Sequence, residues 1–154
     1  MKTVILLSDS HGRKSAVEKI RPLFGENDYL IHLGDGAFDM RSTAETFPEK
    51  TYVVRGNCDA GGGVDEFVLE IEQISVFCCH GHRYGVKSGL SKLAARAKEL
   101  HCEVALYGHT HRAEIAEADG IMCINPGSVG SYSTPSYAYL VVNRDKITPT
   151  VVPL

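Results

Sequence analysis

The chain has 154 residues, 44% of them hydrophobic, and a formal net charge of -3 from 16 Lys and Arg against 19 Asp and Glu. These values predict one globular domain over residues 1–154. No apolar run approaches the ~20 residues of a membrane span, and the N-terminal apolar stretch is too short for a signal peptide. With five cysteines, an odd number, we expect a cytoplasmic protein with free thiols and no membrane partner. The absence of a Lys/Arg cluster argues against broad nucleic-acid binding.

The first half of the chain alternates between strand and helix patterns. Continuous apolar runs at 3–7, 29–33 and 51–54 are typical of buried parallel strands. Apolar residues at helical spacing predict a helix over 13–24 and a weaker one over 39–46. This β-α-β-α-β order predicts an α/β sheet.

The second half is richer in strands. Residues 67–71 and 74–79 flank a short turn and predict a hairpin, and residues 88–100 carry the clearest helical periodicity. A strand is expected at 104–107. The last predicted strands are 113–117, 121–124, 137–142 and 147–152. An α/β half followed by a β-rich half favours two stacked sheets with helices outside.

Polar residues cluster where the predicted strands end. Ligands of open α/β sheets bind outside the carboxyl ends of the strands, and glycines beside these residues allow tight turns and close backbone approach. The candidate residues at these strand ends are Asp9, His11, Asp35, Asn57, His80, His109 and His111. Seven ligands exceed what one tetrahedral ion takes, but suit two ions that share a carboxylate. Mixed imidazole and oxygen donors favour Mn²⁺, Fe²⁺, Co²⁺, Ni²⁺ or Zn²⁺ over Ca²⁺ and Mg²⁺.

The same residues stand in motifs that resemble the calcineurin-like metallophosphoesterase superfamily. The motifs, in chain order, are Asp9-Ser10-His11, Gly34-Asp35, Gly56-Asn57-Cys58-Asp59, His80-Gly81-His82 and Gly108-His109-Thr110-His111. The run from His80 through Asn125-Pro126-Gly127-Ser128 resembles the small single-domain phosphodiesterase branch of bacteria and archaea. Each motif is weak alone, but five in the right order are specific.

This resemblance implies a fold and a ligand set. The fold would be a four-layer α/β/β/α sandwich of two mixed sheets flanked by helices. One metal would be held by Asp9, His11, Asp35 and His111, and the other by Asp35, Asn57, His80 and His109. Asp35, Asn57, His80 and His109 would also form the catalytic set, with Asp35 bridging two divalent ions, Mn²⁺ first among them. The implied reaction is hydrolysis of a small phosphodiester by in-line attack of a metal-bridging hydroxide.

One motif position departs from many superfamily members. They carry a histidine after the metal-binding asparagine, paired with an aspartate, whereas this chain has Cys58 followed by Asp59. The implied branch often has cysteine there. A thiol is a poor substitute for imidazolium as the acid that protonates a leaving group. We therefore expect aryl phosphodiesters, whose leaving groups need little protonation, to react faster than alkyl ones.

Several residues near these motifs have two interpretations. Asn57, Cys58 and Arg83 are candidates for substrate binding, although Arg55 and Arg83 suit salt bridges at the rim equally well. The resemblance favours His80 over His82 as ligand and places the 125–128 turn beneath the metals. His32, inside a predicted strand, is expected to be a hydrogen-bonded core residue.

Two other functions remain open at the level of sequence. A phosphomonoesterase would share the same metal ligands. A non-catalytic protein-binding scaffold of the same fold, like a retromer subunit that resembles this superfamily, is the second alternative. An exposed strand or helix could also form a homo-oligomer, but no sequence feature identifies the interface.

Overall fold

A computed structural model describes residues Met1–Leu154 and contains two five-stranded mixed sheets. The first sheet has the strand order β10-β9-β1-β2-β3, and the second has the order β4-β5-β6-β8-β7. The strands are β1 (Lys2–Leu7), β2 (Tyr29–His32), β3 (Thr51–Val53), β4 (Glu66–Ile71), β5 (Ile74–Cys79), β6 (Val104–Leu106), β7 (Ala113–Ala118), β8 (Ile121–Pro126), β9 (Ser136–Asn143) and β10 (Lys146–Pro153). All predicted strands are present, including the hairpin β4-β5.

Three α-helices accompany the sheets, and each is shorter than its predicted segment. They are α1 (Lys14–Ile20), α2 (Arg41–Thr46) and α3 (Ser91–Glu99). The helix predicted over 13–24 ends early because Pro22 has no N–H to donate, and the chain continues as a 3-10 turn over Arg21–Leu23. A second 3-10 turn, Ala37–Met40, leads into α2.

The core divides into three apolar layers. The layer between the two sheets includes Leu6, Ile31, Cys78 and Leu106, all buried. A second layer packs α3 on the outer face of the second sheet, and a third packs α1 on the outer face of the first. Because side chains alternate along a strand, the neighbours Cys78 and Cys79 lie in different layers as small buried apolar groups. The arrangement is the predicted four-layer sandwich.

Each sheet has a parallel centre whose strands end at the same side. Strands β1, β2 and β3 run parallel in the first sheet, and β5, β6 and β8 run parallel in the second. The antiparallel strands lie toward the edges; the outermost, β10, contains Pro149, which an edge strand tolerates because it need not donate on its outer side. The loops that follow the parallel strands therefore meet at one end of the sandwich. None of the helices has the length and apolar character that a membrane crossing would require.

Candidate metal centre

Three donor atoms at the outer part of this loop cluster form a nearly equilateral triangle. Asp9 Oδ1 lies 3.1 Å from His111 Nε2 and 3.4 Å from His11 Nε2, and the two histidine nitrogens are 3.1 Å apart. Two donors each about 2.1 Å from one ion lie roughly 3.0–3.5 Å apart. The triangle therefore has the size that a single borderline divalent ion requires.

The burial of Asp9 Oδ1 also indicates a cation site at this group. It is fully buried and has no hydrogen-bond partner. A buried carboxylate oxygen without a partner carries a large desolvation penalty unless a cation meets it. Its sister oxygen Oδ2 accepts hydrogen bonds from Ser8 Oγ and the His109 N–H. The carboxylate is thus fixed from one side and unpaired on the side that faces both histidines.

A second group of donors lies deeper in the molecule. Asp35 Oδ2 is 3.2 Å from His80 Nε2, which is 3.2 Å from His109 Nδ1. Asp35 and His80 are buried, whereas His11 and His111 of the outer group are partly exposed. Asp35 Oδ2 is also 3.8 Å from His11 Nε2. Asp35 is therefore the carboxylate that stands between the two groups of histidines.

Neighbouring backbone groups fix the tautomer of His80. Its Nδ1 lies 2.7 Å from the Leu33 carbonyl oxygen, which can only accept, so Nδ1 carries the proton and Nε2 points into the centre. Burial lowers the pKa of His80, but the hydrogen bond to Asp35 and the charges of Asp9 and Asp35 outweigh burial and raise it overall. Burial likewise raises the pKa of Asp35, but the His80 and Cys58 hydrogen bonds lower it to well below its usual range. Both pKa shifts arise because the carboxylate of Asp35 and the imidazole of His80 stabilise each other's charged forms.

The donor residues have an unusual backbone. Nine non-glycine residues have positive φ, and five of them belong to the two donor groups. These five are Asp9, His11, Asp35, His109 and His111. Each such residue costs roughly 1 kcal/mol relative to right-handed backbone, so the surrounding loops must hold it in place.

Close contact between loops also requires glycine. A Cβ at Gly56 would collide with the carboxylate and backbone N–H of Asp35. A Cβ at Gly34 would lie 2.7 Å from the Gly56 nitrogen and 2.8 Å from His80 Nδ1. Gly34 and Gly56 therefore serve the close approach that their positions predicted.

Asp59 connects the loops after β2 and β3. Its Oδ2 accepts the N–H groups of Asp35 (2.8 Å) and Gly56 (2.7 Å), and its Oδ1 accepts those of Gly36 and Ala37 (both 3.0 Å). One carboxylate thus holds four backbone donors. No local sequence pattern predicts this role of Asp59.

A second buried network supports the loop that carries His11. Gly34 N–H donates to His32 Nδ1, so His32 Nε2 carries the proton that it shares with Ser10 Oγ at 2.9 Å. Ser10 Oγ in turn donates to Asp39 Oδ2, which also accepts the Gly12 N–H. Burial lowers the pKa of His32 to about 4, despite nearby carboxylates. His32 has the hydrogen-bonded core role expected from the sequence.

The predicted substrate residues lie around the centre with different partners. Asn57 is exposed and its amide donates to Cys58 Sγ at 3.5 Å, while the Cys58 N–H donates to Asp35 Oδ1 at 2.8 Å. Cys58 also belongs to a third donor group with His11 and Asp35. Arg83 and Arg55 form salt bridges with Asp65 at 3.0 Å and 2.9 Å. Salt bridges at the rim were one of the two interpretations of these arginines.

The remaining motif residues lie beneath or beside the centre. Asn125 is buried and donates to the Gly108 carbonyl and to Thr110 Oγ1, and Ser128 Oγ donates to the Asp9 carbonyl. The 125–128 turn therefore packs under the donor loops. His82 stands outside both donor groups, with its ring 5.3 Å from that of His80.

The structure brings six of the seven predicted ligands into the two donor groups, and Asn57 lies on the adjoining loop. It describes the positions of these side chains; their binding of metal remains a prediction. The donor set nevertheless fits two borderline divalent ions, because it combines buried carboxylates with four convergent imidazoles.

The chain is similar in sequence to a known protein family and to individual proteins. The family described as "Calcineurin-like phosphoesterase superfamily domain" matches residues 1–146. "Probable metallophosphoesterase YsnB" of Bacillus subtilis is 37% identical over 150 residues, covering 94% of this chain and 87% of its own length. "Phosphodiesterase YfcE" of Escherichia coli K12 is 30% identical, covering 84% of this chain and 80% of its own.

Solved structures show the same fold. A predicted phosphoesterase from Streptococcus pneumoniae superposes with a TM-score of 0.83 at 28% identity, covering 99% of this chain and 89% of its own. The Vps29 protein of Entamoeba histolytica complexed with zinc has a TM-score of 0.75 at 21% identity, covering 98% of both chains. That second likeness concerns the fold alone. On the family match and its identity to YsnB, the chain belongs to the calcineurin-like phosphoesterase superfamily.

Proposed function

We propose that the protein is a phosphodiesterase that acts on small phosphoesters with two divalent ions, Mn²⁺ first among the borderline metals. The observation that carries this proposal is the position of Asp35. Its Oδ2 lies within 4 Å of both His80 and His11, which belong to different donor groups. One carboxylate shared in this way suits a pair of ions rather than two unrelated sites.

The candidate metal centre has a buried side and a side that is open to solvent. Asp9, Asp35 and His80 are buried and held by hydrogen bonds from neighbouring loops. His11 and His111 are partly open to solvent, so a phosphate can approach from their side. When bound, two divalent ions would neutralise charge on a phosphate and make a water more acidic.

The groove beside His11 and Asp35 favours a diester over a monoester. The groove beside His11 and Asp35 has no lysine or arginine in its lining, and Asp65 holds the nearby guanidinium groups of Arg55 and Arg83. A phosphomonoester dianion carries one more negative charge than a diester and would gain from an extra cation. A diester needs no such cation and offers a second organic group to the groove.

Parallel hydrolysis of bis(4-nitrophenyl) phosphate and 4-nitrophenyl phosphate by the Mn²⁺-loaded protein tests this proposal. We expect kcat/KM for the diester to exceed that for the monoester at least about tenfold, and Asp35→Asn to abolish both. Asp145→Asn is the matched control, since it removes an exposed carboxylate outside both donor groups and should retain activity. Faster cleavage of the monoester would refute the diesterase assignment.

A further inference from the structure

An exposed phenylalanine lines the same groove as two of the donor residues. Phe38 lies three residues after Asp35, in the 3-10 turn Ala37–Met40, and 77% of its surface is exposed. The groove has a volume of about 680 Å³, and its lining includes His11, Asp35, Cys58 and Phe38. This volume is within the usual range for small-ligand sites, roughly 300–1,000 Å³.

Part of the lining of this groove is apolar. Besides Phe38, the apolar part consists of Ala60 and Gly61. Phe38 and Gly61 also line an adjoining groove of about 290 Å³, whose other walls include Met40 and Val53. Phe38 therefore lines two neighbouring depressions.

Two of the three carboxylates in the groove wall, those of Asp39 and Asp59, already accept hydrogen bonds from neighbouring groups. Asp39 accepts from Ser10 Oγ and the Gly12 N–H, and Asp59 accepts four backbone N–H groups. Their charge is directed into the loops, which limits repulsion of an anionic ligand. The bond from the Ala37 N–H to Asp59 also fixes the start of the turn that presents Phe38.

We propose that Phe38 forms a binding wall for a planar, aromatic organic group of the substrate, so that aryl or nucleobase-bearing phosphoesters are the preferred class. The inference rests on the proposed function, because the phosphate must be anchored at the centre formed by Asp9, Asp35 and the histidines. Stacking on the Phe38 ring buries apolar surface of both partners. This contribution is separate from leaving-group chemistry, since it acts on binding.

Calorimetric titration of the Mn²⁺-loaded protein with phenylphosphonate and methylphosphonate isolates this contact. Neither compound has an ester bond to break, and both present the same head group. We expect phenylphosphonate to bind the wild type about tenfold more tightly because of one aromatic stack, which corresponds to about 1.4 kcal/mol. Phe38→Ala should reduce this affinity ratio to near unity, whereas Phe38→Tyr, which keeps a ring, should preserve it.

Leu23→Ala is the control, because Leu23 is an exposed apolar residue outside both grooves and its loss should leave the ratio unchanged. Comparing ratios between variants cancels differences in basicity of the two phosphonates. A wild-type ratio near one, or a ratio that survives Phe38→Ala, overturns the proposal even if the protein hydrolyses diesters. A ratio that depends on Phe38 in a protein without diesterase activity would support the aromatic wall and refute the proposed function.

Discussion

Asp59→Asn is expected to destabilise the fold and to weaken metal binding at the same time. Each carboxylate oxygen of Asp59 accepts two backbone N–H groups at 2.7–3.0 Å. The asparagine amide can replace only one of these oxygens, and its NH₂ group would face two further N–H donors. Two hydrogen bonds to a charged acceptor are lost, which at the low end of about 1.5 kcal/mol each amounts to about 3 kcal/mol of unfolding free energy.

The effect on metal binding follows from the groups that Asp59 holds. One of these groups is the N–H of Asp35, the residue shared by the two donor groups. The backbone of Asp35 has a positive φ of 57°. Releasing it lets Asp35 relax away from the position between His80 and His11. Loss of a residue that orients a ligand typically reduces metal affinity by about 10–100-fold.

Urea unfolding of the metal-free protein and Mn²⁺ titration of the folded protein measure the two effects separately. Asp65→Asn provides the matched control, because it removes a carboxylate that pairs only with Arg55 and Arg83 at the surface, where ion pairs contribute little. If Asp59→Asn matches Asp65→Asn in both unfolding free energy and Mn²⁺ affinity, the positioning role of Asp59 is wrong.

Three further predictions concern single residues. His32 is buried and has a pKa of about 4, against an ordinary value of 6.5, so the unfolded state takes up a proton at a higher pH than the folded state does. As the pH drops from 6.5 to 4, the unfolding free energy of the wild type should therefore fall by about 3 kcal/mol relative to that of His32→Gln. Urea unfolding of the metal-free protein measures this difference. Partial desolvation and the charge of Asp35 raise the pKa of the exposed Cys58, so its thiol is a weak proton donor. Log kcat for a series of aryl diesters should therefore fall steeply with leaving-group pKa, and a flat series would contradict this. Arg83→Ala should change KM for bis(4-nitrophenyl) phosphate less than about twofold, because its guanidinium is bound to Asp65, and a tenfold rise would instead make it a substrate contact.

Sequence was most informative where local pattern and fold agree. Apolar runs followed by Gly-flanked polar residues predicted which strand ends would meet, and Asp9, Asp35 and His80 lie there together. This works because parallel strands deliver their carboxyl ends to one side of the sandwich. The early end of the first helix at Ile20 was also predictable from sequence, because Pro22 lies inside the predicted helical segment.

The other features depend on loop paths that no local pattern specifies. The four hydrogen bonds of Asp59 require the loops after β2 and β3 to cross at a particular distance. Arg83 meets Asp65 only because the chain returns along β5 to the start of β4. The exposure of Phe38 results from a 3-10 turn that the periodicity of residues 39–46 does not predict.

Metal stoichiometry of the wild type and of Asp35→Asn tests the central claim most directly. Elemental analysis after dialysis against Mn²⁺ should give two equivalents for the wild type, since the donors form two groups joined by Asp35. Replacing the shared carboxylate should reduce the content to one equivalent or less and abolish diester hydrolysis. A wild type that holds at most one ion, or an Asp35→Asn protein that keeps both ions and its activity, would contradict a dinuclear centre built around Asp35.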